Sequence, residues 1–569
     1  MGLMNETVWI VKECGEEAQK LADALNIPLE IACILVNRNI TDPFTTREFL
    51  FGTLENLHDP FLMKDMKKVV FRIQQAIREG ENILIFGDYD VDGILSVVIL
   101  TKALMTLGGK VDHYIPDRLN KGYGIKQEYL DIAIQRKAGL VISVDCGIKA
   151  IDFVRSAKEK NIDTIITDHH RAGKMLPDSY AILNPVIPDS SYPEKNLAGI
   201  GVVFKLIQAL FERNGLTSQL PHYLKLVSIG TVADVVELRG ENRLFVKYGL
   251  KGLSEVSNQG LKSLLEICRL ENSKITAGDV GFRIGPRINA AGRLGDTENV
   301  FRLFFSDSVE ETRDIVLFLD KMNSQRQKIE ERILRQAINR IKKRNLNIKH
   351  KLLILGCDEW HRGVIGIVAS KIKDYFNQPV LLFSYTGGMA FGSGRSIKEF
   401  SLINCLENCK QYFNNFGGHT LAAGCELKLE NMRLFKEAVN EYTNIHLKDD
   451  DLKRKLHIDT RISFQAFDRS FLEHLNMLQP FGVGNPRPVF LTENVEIWGV
   501  PKRLKGKHSK FFLQNEGRVF EGLGWQKAEL TDFFNKGDRV DIVYTLQTST
   551  YLGQDKLSLS LEDLRRHRD

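Results

Sequence analysis

No stretch of the 569 residues approaches the roughly 18 to 20 uninterrupted apolar positions of a membrane span. The amino end, MGLMNETVWIVKECGEE, carries no basic-then-apolar export pattern, so a cytoplasmic location without membrane association is expected. Cysteine is sparse and scattered: of 8 in all, only Cys405 and Cys409 sit close together, without a CxxC or a second pair. Neither a disulfide scaffold nor a zinc site is indicated. The absence of a GxxxxGK[ST] loop argues against nucleotide-driven chemistry, and HExxH and GxSxG are missing too. Internal repeats and low-complexity tracts are also lacking.

What remains is a chain that is 43% apolar and 26% charged, long enough for several cores. Its net charge of +6 is mild, but the segment from Asp320 to Lys351 alone holds eleven Lys or Arg against three acids. A basic stripe on one helix suits contact with a phosphate backbone, although a solvated helix face has the same composition. From Asn82 to Asp168 short apolar runs alternate with amphipathic stretches, the pattern of βαβ units. Near-continuous apolar strands are covered on both faces, so a parallel sheet with helices on each side is expected. LDKMNSQRQKIEERILRQAINRIKKR reads as one long helix, with Met322, Ile329, Ile333, Ile338 and Ile341 on its apolar face. A second α/β unit follows, containing GGMAFGSGRS and FGGHTLAAG. Beyond about residue 455 short strands and turns suit a small β-barrel. The expected organisation is a helical segment over 1–75 packed on an α/β domain at 76–310, a basic connecting helix at 311–348, a second α/β domain at 349–450 and a barrel at 451–569.

The chemistry concentrates at strand ends. Gly87-Asp88-Tyr89-Asp90-Val91-Asp92-Gly93 follows the strand NILIF, and three carboxylates so close repel one another unless a cation neutralises them. An EF-hand loop begins similarly, but its twelfth position here is Ile99 and a strand precedes it, so that reading fails. Helix capping explains one of the three acids, not all. The next strands end in Asp145 and in Asp168-His169-His170, and ligands of such sheets bind at the carboxyl ends of strands. Asp234, inside the apolar pattern SIGTVADVVEL, needs a cation or a partner if buried. Asp88, Asp90, Asp92, Asp145, His169 and Asp234 are enough donors for two divalent cations, Mn2+ or Mg2+, and two cations held close together promote phosphodiester hydrolysis.

DYDVDG, VISVDCG, the Asp-His-His triplet and GTVADVVEL resemble, in order, the four motifs of the DHH phosphoesterase superfamily. LAGIGVVFKL, PRINAAGRLGD, WHRGVIGIVASKI, GSGRS, FGGHTLAAG and QPFGVGNPRPVF resemble signature stretches of its RecJ branch, and the resemblance covers nearly the whole chain. It implies a DHH domain, a DHHA1 domain and an OB-fold. It also implies metal ligation by Asp90, Asp92, Asp145, His169 and Asp234, with Asp88 a further ligand, and catalytic roles for His170, Asp145 and Asp90. Other DHH enzymes often carry a His where this chain has Phe86. Ser393 and Arg395, aided by Arg118, would hold a DNA 5′-phosphate, with His361 and His419 lining the cleft. Arg287 and Arg293 would contact DNA or brace an interface by salt bridging. Lys502, Arg503, Lys505, Lys507 and Lys510, beside Phe511 and Phe512, would form a single-strand groove, although TSTYLGQ at 548–554 departs from the family's pattern.

The function so implied is a single-strand-specific 5′-to-3′ exodeoxyribonuclease of recombination and repair, a monomer assisted by a helicase and a single-strand-binding protein. The alternatives are a DHH oligoribonuclease or cyclic-dinucleotide phosphodiesterase, which needs no OB-fold, and a non-catalytic replication scaffold, which would have lost metal ligands.

Overall fold

The computed structural model describes residues 7–116, 124–294, 296–551 and 554–568. The chain enters through strand β1 (Val8–Val11) and helices α1 (Glu16–Leu25), α2 (Leu29–Val36) and α3 (Pro43–Phe51). Helix α4 (Met66–Glu79) then leads into the alternation β2 (Asn82–Gly87), α5 (Val91–Thr106), β3 (Lys110–Tyr114), β4 (Ala138–Val144), α6 (Ile151–Glu159), β5 (Asp163–Thr167) and β6 (Ala181–Leu183). The five strands form a wholly parallel sheet in the order β3-β2-β4-β5-β6. Side chains alternate between its faces. Ile83, Ile85, Leu140 and Ile142 pack with α4 and α5, while Leu84, Phe86 and Val141 pack with α6 on the other side. Burial on both faces is why these strands read as unbroken apolar runs.

Helices α7 (Gly199–Arg213), α8 (Leu220–Ala233), α9 (Gly240–Gly252) and α10 (Gly285–Leu294) also belong to the first domain, with two further helices at Gln259–Ile267 and Thr297–Phe305. The 36-residue helix α11 (Val309–Arg344) follows, about 54 Å long at the usual rise per residue. The Ser308 hydroxyl caps it by accepting the Glu311 N–H, and its last turn carries Lys342, Lys343 and Arg344, which complement the helix dipole. Its first half buries Ile315, Val316 and Leu319 in the first domain, and its second half buries Ile333, Ala337 and Ile341 in the next. One rod therefore sets the relation between the two α/β units.

The second unit runs β7 (Leu353–Cys357), α12 (Ile365–Phe376), β8 (Val380–Thr386), β9 (Met389–Arg395), β10 (Asn415–Gly418) and β11 (Ala422–Lys428). Its sheet order is β10-β11-β9-β8-β7, parallel only between β7 and β8. The last unit contains β12 (Lys455–Ile458), β13 (Thr460–Arg461), β14 (Phe490–Ile497), β15 (Lys502–Leu504), β16 (His508–Asn515), β17 (Arg518–Gly524), β18 (Arg539–Tyr551) and β19 (Gln554–Arg566). Pairing of β14 with both β18 and β16 closes a five-stranded barrel, the OB topology, with β15 appended as a hairpin arm.

One expectation needs correction. The N-terminal segment does not pack on the first domain as a whole: α4 does, but residues of α1, α2 and α3 share a core with Phe464, Phe471 and Phe490 of the barrel unit. Strand β1 also pairs in parallel with β12, Val8 opposite Lys455. Apolar spacing shows that a helix has a buried face, not which distant element covers it. Packing of α1 on α2 also brings Cys14 and Cys33 side by side, with Cα atoms 5.3 Å apart, although their spacing follows no motif. Among the described residues no helix is long and apolar enough to cross a membrane.

Candidate metal centre and nucleic-acid interface

The carboxyl ends of β2, β4 and β5 converge on one edge of the parallel sheet, and each delivers its acid through a local constraint. Asp90 caps α5 by accepting the Gly93 N–H at 3.0 Å. Asp92, in the first turn of the same helix, is 1% exposed and accepts N–H bonds from Gly199 at 2.7 Å and Ile200 at 2.8 Å. Its carboxylate thus sits on the positive end of α7. Asp145 holds a left-handed φ of 58°, an uncommon choice for a side-chain-bearing residue, and its N–H donates to the Thr167 carbonyl at 2.9 Å. Backbone held this way next to a sheet edge fits a position fixed for chemistry rather than for packing.

Asp168 organises the histidine pair. One of its oxygens accepts the main-chain N–H groups of His169 and His170 and the His170 ring at 2.7 Å; the other accepts the Ile148 N–H at 3.0 Å. Burial opposes its ionisation, but the bonds from His170 prevail and hold Asp168 below the ordinary carboxylate value. His170 is raised in turn: burial lowers it, and Asp168 more than restores it. Asn184 donates to the His170 carbonyl at 2.9 Å. His169 behaves oppositely, since burial and the neighbouring His170 push it down to about 4. Its Nδ1 lies 3.1 Å from the Leu197 carbonyl, which can only accept, so the proton sits there and Nε2 presents a lone pair.

Three overlapping trios of donors result among the described residues. Asp88, Asp90 and Asp145 form one, Asp92, His169 and Asp234 another, and Asp145, His169 and His170 a third that bridges them, and within each the ligating atoms lie within 4.8 Å of one another. Asp145 Oδ1 approaches His169 Nε2 at 3.1 Å and so joins the first two. Asp145 Oδ1, His169 Nε2 and Asp234 Oδ2 are buried without a hydrogen-bond partner. Burial, followed by repulsion from neighbouring acids, raises Asp92 to about 7 and pushes Asp145 and Asp234 well up. Orphaned buried donors and mutually repelling carboxylates beside a neutral imidazole are the set that divalent cations satisfy. The residues present therefore fit two such ions.

The second α/β unit gathers a different group. Ser393 and Arg395, on β9, lie against Gly366 in the first turn of α12. The Arg395 guanidinium is oriented by Ser393 Oγ at 3.4 Å and the Gly394 carbonyl at 2.8 Å. His361 closes the turn before α12, its Nδ1 accepting the Gly363 N–H at 3.1 Å, and burial lowers its pKa. The exposed His419 lies in the β10–β11 turn, where β11 pairs Ala422 with Arg395. An arginine and a hydroxyl beside a helix N-terminus suit a phosphate.

Other expected residues fare differently. Arg287 is held by Asp320 of α11, at 2.8 Å, which is the bracing role. Arg118 and the Arg293 side chain lie outside the described residues, as do the side chains at 548–550 and residues 552–553 of the departing segment. In the barrel, Phe511 is fully buried and cannot stack on a strand. Arg503 pairs with Asp532, and Lys510 pairs with Glu521 at 2.8 Å, while Lys502, Lys505 and Lys507 stay exposed on the β15 arm. The sequence reading missed the exposed Trp498 and Trp525, which flank this arm at either end. It also missed the Leu197 carbonyl and the Gly199 and Ile200 amides. LAGIG stood out as a motif, but only the fold shows that its main chain is the functional part.

Paired donor clusters that fit divalent cations at the strand ends of a parallel sheet, linked to a second α/β unit, are the arrangement expected of a metal-dependent phosphoesterase. Three family models match: DHH family, N-terminal domain, over residues 82–231; DHHA1 domain over 349–444; and RecJ OB domain over 458–563. The chain is 35% identical over 566 residues to the single-stranded-DNA-specific exonuclease RecJ of Bacillus subtilis, covering 99% of this chain and 71% of that one. The structure of RecJ from Thermus thermophilus with Mn2+ superposes with a TM-score of 0.85 at 30% identity, over 100% of this chain and 81% of that one. Its Mg2+ complex gives 0.78 at 28%, over 100% and 80%. The chain belongs to the RecJ family of exonucleases.

Proposed function

We propose that this chain is a divalent-cation-dependent exonuclease that degrades single-stranded DNA from the 5′ end and releases 5′-mononucleotides in the cytoplasm, during recombination and repair. The observation that carries the reading is the pair of donor trios joined by Asp145 at one sheet edge. Asp88, Asp90, Asp92, Asp145, His169 and Asp234 would hold two cations, Mn2+ or Mg2+, which when bound would lower the pKa of water and offset charge on the phosphodiester. His170, which bonds to Asp168 and whose carbonyl accepts from Asn184, donates to a phosphoryl oxygen in this reading. Ser393 and Arg395 receive the 5′-phosphate at the start of α12 and so set polarity, with His361, His419 and Arg118 contributing to the cleft. Lys502, Lys505 and Lys507 with Trp498 and Trp525 hold the emerging strand by charge and stacking. The chain works as a monomer beside a helicase and a single-strand-binding protein.

The test uses strands labelled at one end or the other. Labelled mononucleotide should appear at once from the 5′ label and only late from the 3′ label, and removing the 5′-phosphate should slow the wild type more than Arg395→Ala. Early release from the 3′ label would refute the polarity. Cleavage of dinucleotides with long strands left intact would favour the oligonucleotide phosphodiesterases of the same superfamily.

A further inference from the structure

The motif QPFGVGNPRP has no part in the mechanism above, yet its main chain and the buried Asn485 bond to three units. Arg243, in α9, is 2% exposed and forms no ion pair among the described residues. Its Nε donates to the Phe49 carbonyl at 2.9 Å, Nη1 to Leu478 at 3.0 Å, and Nη2 to Met477 at 2.7 Å and Gln479 at 2.8 Å. Its plane stacks on the Phe49 ring at 3.8 Å. One guanidinium thereby ties the first domain to the N-terminal helices and to the barrel unit, reading main chain only.

The same turn also touches the segment that follows Asp234. The Leu238 N–H donates to the Val483 carbonyl at 2.8 Å, and Arg239 Nε donates to Gly484 at 3.1 Å. A Cβ at Gly482 would meet the Leu238 side chain at 2.7 Å; Gly484, at φ 71°, has its backbone in the region glycine favours. Asn485 is fully buried and staples the turn by donating to Leu478 and Pro480 and accepting from Arg38. Asn242, next to Arg243, donates to the Asn196 carbonyl at 2.5 Å, one residue before the Leu197 carbonyl that orients His169.

We infer that this turn and Arg243 form a docking lock that registers the barrel unit against the metal-bearing segment, with Arg243 a positioning residue for strand binding. The inference rests on the reading that the barrel holds the strand. Without the lock the metal centre keeps its own ligands, but the barrel no longer sits at a fixed distance from it.

The test compares full-length Arg243→Lys and Gly484→Ala with wild type by steady-state kinetics with Mn2+ and by amide hydrogen exchange. Arg243→Lys keeps the charge and loses the fork that serves four carbonyls; Gly484→Ala leaves Arg243 intact. Both should raise exchange at residues 477–485 and 238–239 while the barrel core stays protected. The KM for a long single strand should rise about tenfold, as for loss of one hydrogen bond to a charged group, with dinucleotide turnover within about twofold of wild type. Unchanged exchange would overturn the lock itself. Raised exchange with an unmoved KM would overturn the barrel's share in holding the strand, and equal losses on both substrates would make the junction a matter of stability alone.

Discussion

Gly199→Ala separates the geometry of the metal centre from ordinary helix energetics. Gly199 opens α7 with a backbone that any residue adopts, so alanine there should favour the helix by up to about 1 kcal/mol. The opposing effect comes from Asp145. A Cβ on Gly199 would lie 2.6 Å from Asp145 Oδ1 and 2.8 Å from its Cβ and Cγ, where ordinary contact needs about 3.5 Å. Relief requires α7 or Asp145 to move by roughly 0.7 to 1 Å, and Asp145 is pinned by its own N–H bond to Thr167. A shift of α7 stretches the two N–H bonds to Asp92 and carries the Leu197 carbonyl away from His169. A misplacement of about 1 Å in such a site costs around a hundredfold in rate. Release of mononucleotide from a 5′-labelled strand in saturating Mn2+ should therefore fall by about that factor in kcat/KM, with a melting temperature within a few degrees of wild type, since strain of about 1 to 3 kcal/mol is partly offset by helix propensity. Gly201→Ala is the control, because its Cβ would meet neighbours only at 3.5 Å and beyond. Activity of Gly199→Ala within a factor of about three of wild type would refute the close-approach reasoning.

Asn184→Ala should lower kcat several-fold with KM unchanged, because it frees the His170 main chain without touching substrate; a KM effect alone would contradict that. Trp498→Ala and Trp525→Ala should each weaken long-strand binding by about 1 to 3 kcal/mol and remove part of the DNA-induced quenching of tryptophan fluorescence. Equal affinity in both variants would remove the stacking role. Mn2+ at a hundred times its dissociation constant should stabilise the fold by about 2.7 kcal/mol, read as a rise in melting temperature that chelator reverses. Asp234→Asn should lessen that rise, and an undiminished shift would place the cations elsewhere.

The sequence disclosed most where one residue type meets one local pattern. Asp88, Asp145 and His169 each follow an apolar strand, and a parallel sheet must bring adjacent strand ends together, so the clustering of these donors was legible before any contact was known. The long basic helix was equally plain from its periodicity. Main-chain groups were not legible: the Leu197 carbonyl and the Gly199 amide have no side-chain signature, and their role depends on α7 pointing its amino end at Asp92. Long-range pairings were hidden as well. Nothing in the first fifty residues signals that β1 joins β12, or that Leu35 packs in the barrel's core. In the barrel arm, charge and aromaticity suggested a groove, but side-chain alternation along β16 turns Phe511 inward, leaving Phe512 on the outer side.

The central claim is that the two donor trios joined by Asp145 hold the cations on which hydrolysis depends, and its most direct test is the count of Mn2+ bound per chain by equilibrium dialysis, with strand turnover followed in the same samples. The wild type should bind two Mn2+ and release mononucleotides, whereas Asp145→Asn should lose at least one ion together with turnover. Full turnover by Asp145→Asn, or full turnover by a wild type that binds no Mn2+, would contradict the account.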